Sequence, residues 1–123
     1  MGIEREDKAR AVEQGLENFR FFGAPHLAVI STERDLGTYG AIDCGGYIGN
    51  FLLAAQSLNI ASVPQAAVAT HSRFVREFLS LPDSRQVVAG VAFGLEQEGA
   101  PANGFRTSRA AIGEAVTWVE AAD

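Results

Sequence analysis

Apolar and polar positions follow helical spacing in some stretches of the chain and strand spacing in others. Residues 4–20 read as an amphipathic helix, with Ala11, Val12, Leu16 and Phe19 on one face and Glu4, Glu6, Asp7, Lys8 and Arg10 on the solvated one. Gly15 weakens it. After the break at Phe21–Pro25, the run HLAVIS from His26 to Ser31 is almost continuously apolar and predicts an inner strand bounded by the turn-like TERD. Thr32 to Ala41 has the composition of a connection. From Asp43 to Gln65 there is no charged side chain after the aspartate, and Ile48, Phe51, Leu52, Ala55 and Leu58 mark a helix whose other faces carry Tyr47, Leu53 and Ala54. A helix this apolar all round must be buried on several sides. Further on, residues 72–79 predict a short helix with a stripe of Phe74, Val75, Phe78 and Leu79, capped by Thr70 or His71. QVVAGVAF, Gln86 to Phe93, is the strongest strand by β-branched content, and EAVTWV, Glu114 to Val119, predicts a terminal strand whose pairing edge could belong to another subunit.

The stretch from Asp43 to Gln65 is the spine of this reading. Gly45 and Gly49 lie one turn apart with Gly46 beside them, which costs helix propensity but admits a close neighbour. Taken on the residues alone, that predicts a tight crossing within one subunit, a subunit interface being the minority reading. Asp43 is placed to cap the helix, and Pro64 to stop it. A membrane span needs about 20 predominantly apolar residues, whereas this window holds Asn50, Gln56, Ser57 and Asn59 besides its glycines. Alternating helices and strands without internal repeat or linker predict one layered domain of α/β or α+β type over residues 1–123.

Charge narrows the partners. Ten Lys and Arg against fifteen Asp and Glu leave a net charge of -5, which argues against nucleic acid or an anionic membrane as the main partner. Five of the ten basic residues nevertheless fall between positions 73 and 109, as Arg73, Arg76, Arg85, Arg106 and Arg109, so a local anion site is compatible with the total. Cys44 is the only cysteine, which excludes an internal disulfide. With no apolar leader at the N-terminus and Glu6 where a myristoylation motif needs Ser or Thr, the expectation is a cytoplasmic protein.

Two stretches could hold a ligand. VPQAA, Val63 to Ala67, follows a proline with small side chains and leaves main-chain N–H groups accessible, although a simple turn is the blander reading. NGFRTSR sets Arg106 and Arg109 three apart with two hydroxyls between, a grouping suited to phosphate, against the background that loop arginines are mostly just solvated. The glycines at 37 and 40 lack the spacing of a phosphate loop. His26 and His71 stand in no hydrolase or metal pattern, and Cys44 in apolar surroundings reads as an inert small hydrophobe.

Taken together and in order, NFRFFGAPHLAVI, DLGTYGAIDCGGYIGNFLLAAQSLNIASVPQAA, VVAGVAFG and PANGFRTSRAAIGEAVTWV resemble the C-terminal half of the nitroreductase-like flavoprotein family. The resemblance spans Gly2 to Val119. It implies an α+β, layered α/β sandwich with a long buried central helix, here in a truncated version without the family's N-terminal Arg-Arg-Ser motif. It implies FMN as cofactor, NAD(P)H as electron donor, and a nitroaromatic, quinone or similar small molecule as acceptor. Pro64, Gln65, Ala66 and Ala67 then correspond to the segment lying along the isoalloxazine, with the amide of Ala66 or its neighbour facing N5. Arg109, helped by Arg106, corresponds to the phosphate contact. The central helix becomes the core of a homodimer, which reverses the one-subunit reading of its glycines, and the C-terminal strand becomes an extension over the partner. No side chain is implied as a general acid or base. The alternative is a non-catalytic remnant or a dimerisation module without turnover.

Overall fold

The computed structural model describes residues 6–119. Its elements are helix α1 (Lys8–Leu16), strand β1 (His26–Glu33), helix α2 (Gly37–Ser57), strand β2 (Ala61–Gln65), helices α3 (Ala67–Thr70) and α4 (Ser72–Phe78), strand β3 (Arg85–Gly94) and a single helical turn α5 (Ile112–Ala115). The three strands form one sheet in the order β1-β3-β2, with β3 antiparallel to both neighbours. β1 and β2 therefore run parallel to each other with β3 inserted between them, and α2 is the crossover a parallel pair requires.

The sheet has a layer on each face. Residues directly opposite in an antiparallel pair point the same way, and His26, paired with Phe93, stacks on it at 5.2 Å while Phe51 of α2 meets the same Phe93 ring edge-on at 5.5 Å. On the opposite face Gly90 is paired with Val29 and Gln65, and a Cβ at position 90 would stand 2.9 Å from Val68 of α3 and 3.1 Å from Leu27. Only glycine lets α3 come that close. The core is centred on β3, where Val91 is 0% exposed and Val87, Ala89 and Ala92 are buried. This is the layered α+β architecture expected from the sequence.

Several boundaries move. The predicted helix from residue 4 is seen from Lys8, Glu4 and Arg5 lying outside the described residues; Asp7 caps it by accepting from the N–H of Arg10 at 3.0 Å. The long helix begins at Gly37, not Asp43, so the expected connection Thr32–Ala41 is the end of β1, one tight turn at Arg34–Leu36 and the first turn of α2. Two glycines made that stretch look like a loop. Gly37 is needed for its positive φ of 54°, and Gly40 because a Cβ there would lie 2.5 Å from Oγ1 of Thr32. Asp43 consequently sits within the helix, exposed, and is no cap. Nor does Pro64 stop the helix. Asn59 does, by adopting a left-handed φ of 57°, with Ile60 N–H donating to the Ala55 carbonyl at 2.9 Å and Asn59 N–H to that of Gln56 at 3.1 Å. Pro64 instead lies in β2, an edge strand, where a missing N–H is tolerated. No side chain caps α4. The predicted strand Glu114–Val119 is not formed: Glu114 and Ala115 belong to α5, and the extended residues after them pair with no strand among the described residues. A lone strand without an edge has no ladder to join. None of the helices is long and apolar enough to cross a membrane, among the described residues.

The crossing expected at Gly45 and Gly49 is not formed among the described residues. Nothing lies within 4 Å of where a Cβ would stand at Gly45, Gly46 or Gly49.

Candidate functional site

At the end of β2 the chain turns from an edge strand into α3, and the five residues VPQAA make that turn. Gln65 is paired with Gly90 and is only 6% exposed, because its side chain points to the face covered by α3. Neither its Oε1 nor its Nε2 has a hydrogen-bond partner among the described residues. An unmet buried carboxamide costs on the order of 1–3 kcal/mol for each group left unsatisfied, so this is an unusual residue to find there. Ala66, next in sequence, is exposed, and no main-chain carbonyl among the described residues accepts from the N–H of Ala66 or Ala67. The segment thus presents, at Ala66 and Ala67, amides without a main-chain acceptor on residues whose own side chains are methyl groups. A planar molecule with acceptor atoms can lie against it.

The arginines sort themselves. Arg73 pairs with Glu77 at 2.9 Å, which raises its pKa, and Arg76 pairs with Asp83 at 2.7 Å. Arg85 bridges from β3 to β1, donating to the Ser31 carbonyl at 2.7 Å and to Glu33 at 3.1 Å. The Ser84 side chain, followed by Arg85, holds the Glu33 carboxyl below its ordinary value. Those three arginines are absorbed by structural pairs. Arg106 and Arg109 have no acidic partner among the described residues; Arg106 donates to the carbonyls of Asn103 and Phe105, and Arg109 to the hydroxyl of Thr107 and the carbonyl of Ser108. Both lie in a segment exposed from Gly104 to Val119, and they reach no group of the VPQAA turn by a hydrogen bond. Of the residues expected at the site, Pro64 to Ala67 are consecutive, with Pro64 and Ala66 exposed and Gln65 buried, while the arginines stand in a separate, exposed segment.

The remaining candidates are structural. His26 stacks on Phe93, His71 meets Phe19 edge-on at 5.1 Å, and Cys44 is buried. Among the described residues no cluster of His, Cys, Asp and Glu could hold a metal ion. Sequence reasoning missed a hollow of about 460 Å³ between β1 and α2 with a mixed lining, in which Val29, Ile30 and Leu36 stand beside Ser31, Asp43 and Arg85. It follows a β-bulge after Ile30, opposite which β3 carries the extra residue Val88, and no local residue pattern announces it.

Known proteins share this fold. The family profile described as Nitroreductase family matches residues 2–95. A 4-nitrobenzoate reductase of Pseudomonas putida is 34% identical over 104 residues, which are 85% of this chain and 45% of the relative. The crystal structure of the FMN-dependent nitroreductase NfnB from Mycobacterium smegmatis in complex with NADPH superposes with a TM-score of 0.90 at 31% identity, covering 97% of this chain and 53% of that one. The FMN and NADPH-dependent nitroreductase NfnB from sphigopyxis sp. strain HMH superposes with a TM-score of 0.92 at 32% identity, again over 97% and 53%. This chain thus spans about half the length of the proteins it matches. With the profile covering most of the sequence and the superposition nearly all of it, the chain belongs to the nitroreductase family.

Proposed function

We propose that this chain contributes to an FMN-dependent oxidoreductase of the nitroreductase type, a cytoplasmic homodimer that moves reducing equivalents from NAD(P)H to a nitroaromatic, quinone or similar small acceptor. The observation that carries this reading is the turn after β2, where Ala66 is exposed and its N–H has no main-chain acceptor among the described residues. Two matched relatives are described as dependent on FMN and NADPH or complexed with NADPH, and the residues here suit such a cofactor. Pro64 to Ala67 would lie along the ring system, with the amide of Ala66 or Ala67 donating to it. Gln65 offers a donor and an acceptor that nothing in the described chain uses. Arg109, with Arg106, would hold the phosphate in fork geometry, being the two arginines of the 73–109 group without a carboxylate partner. FMN, when bound, supplies the hydride chemistry; the protein supplies binding and orientation.

The homodimer would form through the outer face of α2. Tyr39, Ile42, Gly46, Gly49 and Leu53 recur at alternating spacings of three and four, a straight seam that is exposed throughout. Its glycines leave room for a second helix at short range.

Titration of the purified chain with FMN tests the reading: flavin fluorescence should be quenched and the protein should turn yellow, and Arg109→Ala should weaken retention roughly tenfold or more. No quenching by the parent chain would refute flavin binding by this chain. A second reading, a dimerising module without turnover, is favoured by the exposure of the whole segment that carries both arginines. It predicts a stable dimer by light scattering that ignores FMN and NAD(P)H.

A further inference from the structure

Two hollows flank β1, and they differ in what they offer a ligand. The larger, about 560 Å³ beside α3 and α4, is almost wholly apolar, with His71 the only ionisable residue on it. The smaller, about 460 Å³ beside α2, sets polar groups among apolar ones. Small-molecule sites are clefts of roughly 300–1,000 Å³ whose apolar lining carries a few convergent polar groups that fix orientation. Of the two, only the hollow against α2 has that character. It also lies where the bulge after Ile30 shifts the register of β1, a feature that re-aims side chains.

Its polar groups are unequally spent. Arg85 gives Nε and Nη2 to Ser31 and Nη1 to Glu33 at 3.1 Å, so its charge is balanced and most of its donors are used. An anion would find little there. Asp43, by contrast, is exposed and takes part in no ion pair or side-chain hydrogen bond among the described residues. Thr32 is only 8% exposed, and its Oγ1 is turned toward α2, 2.5 Å from where a Cβ at Gly40 would stand. That hydroxyl, too, bonds no side chain among the described residues, and both Thr32 and Gly40 line the hollow. With Arg85 offset by Glu33, the carboxylate of Asp43 is the uncompensated charge of the site, which therefore suits a cation that also donates hydrogen bonds. The Tyr47 ring, 58% exposed on the same lining, can meet a cation on its face. Val29, Ile30 and Leu36 supply apolar surface for the rest of such a molecule. We propose that the hollow between β1 and α2 binds a small primary amine with an apolar body, its ammonium between Asp43 and Thr32 and its body against Val29, Ile30 and Leu36. The proposal rests on these side chains and not on flavin binding.

The test titrates the purified chain with benzylamine, which is charged at neutral pH, and follows the amide resonances by two-dimensional NMR. The expected result is a set of saturable shifts at Ser31, Thr32, Gly40 and Asp43, with the amides around Phe78 unmoved. Benzyl alcohol and benzoate have the same ring without the ammonium and should each bind roughly fivefold more weakly or worse. Asp43→Asn should weaken benzylamine binding by roughly fivefold or more, and Thr32→Val by a smaller factor. Because the Asp43 side chain is exposed and unpaired among the described residues, its substitution should leave the circular dichroism unchanged; the comparison of the three ligands needs no variant at all. Shifts that do not saturate, benzoate or benzyl alcohol binding as tightly as benzylamine, or an Asp43→Asn chain that binds benzylamine like the parent would each overturn the proposal. None of these readouts involves flavin, so failure here is separate from failure of the proposed function.

Discussion

The two faces of α2 are built from the same kinds of residue and have different fates. Toward the sheet, Gly40, Cys44, Ile48, Phe51 and Ala55 form a stripe that is buried or half-buried. Away from it, Tyr39, Ile42, Gly46, Gly49 and Leu53 form a second stripe at the same periodicity, with Tyr39 79% and Leu53 72% exposed. Apolarity alone does not tell them apart. The glycines do, once their neighbours are known: a Cβ at Gly40 would collide with Thr32 and Leu36, whereas Cβ atoms at Gly45, Gly46 and Gly49 would meet nothing. A glycine in a helix marks a close approach only where something approaches. The open glycines therefore mark a face of α2 that no described residue covers.

The contrast breaks most sharply at Gly40. Gly40→Val should destabilise the chain by about 3 kcal/mol, seen as a fall in the urea midpoint, because Oγ1 of Thr32 at 2.5 Å and Cβ of Leu36 at 2.8 Å leave no room for a branched side chain. Val91→Ala, the reference for an ordinary loss of core on β3, should cost about 2 kcal/mol in the same assay, since that side chain is fully buried. Gly49→Ala should have the opposite sign. With nothing within 4 Å, the isolated chain should gain about 1 kcal/mol from helix propensity, while its self-association, measured by sedimentation, should weaken. A Gly49→Ala chain less stable than the parent would place an unseen neighbour at that face.

The smallest effect concerns the end of the sheet that α2 leaves open. Ser84 and then Arg85, through side-chain hydrogen bonds, hold the pKa of Glu33 below the ordinary glutamate value, so its contribution to stability is present above that ordinary value and is lost as pH falls through the lowered one. The difference in melting temperature between the parent and Glu33→Gln should accordingly be small at neutral pH and vanish in acid. Being exposed, the pair is screened by salt, and high ionic strength should shrink the difference further.

Much of the fold was legible because it rests on local pattern. HLAVIS and QVVAGVAF announced their strands by β-branched, nearly uninterrupted apolarity, and Phe74, Val75, Phe78 and Leu79 announced α4. What was misread lay where one residue serves two purposes. Gly37 and Gly40 looked like loop residues and are the start of a helix; Asn59, a polar residue in an apolar run, turned out to be the stop; Pro64 looked like a breaker and sits in an edge strand. The strand expected at EAVTWV pairs with no strand among the described residues, and a ladder cannot be read from one of its two strands. At the candidate site the order of VPQAA was visible from the start, but that Gln65 is buried without a partner while Ala66 is exposed was not, since both follow from pairing with Gly90 across the sheet.

By itself the sequence determined the types of α1, β1, α2, α4 and β3, the apolar character of the central helix, the acidic balance and, through the ordered set of motifs, the family, because each of these depends on neighbours within a few residues or on residue identity alone. The tertiary structure decided which side of α2 is covered, which arginines are consumed by ion pairs and which are left over, and where the chain leaves apolar surface exposed. Those are questions about partners distant in sequence. Packing against β1 and β3 uses one face of α2 and leaves its other stripe, with Gly46, Gly49 and Leu53, to solvent.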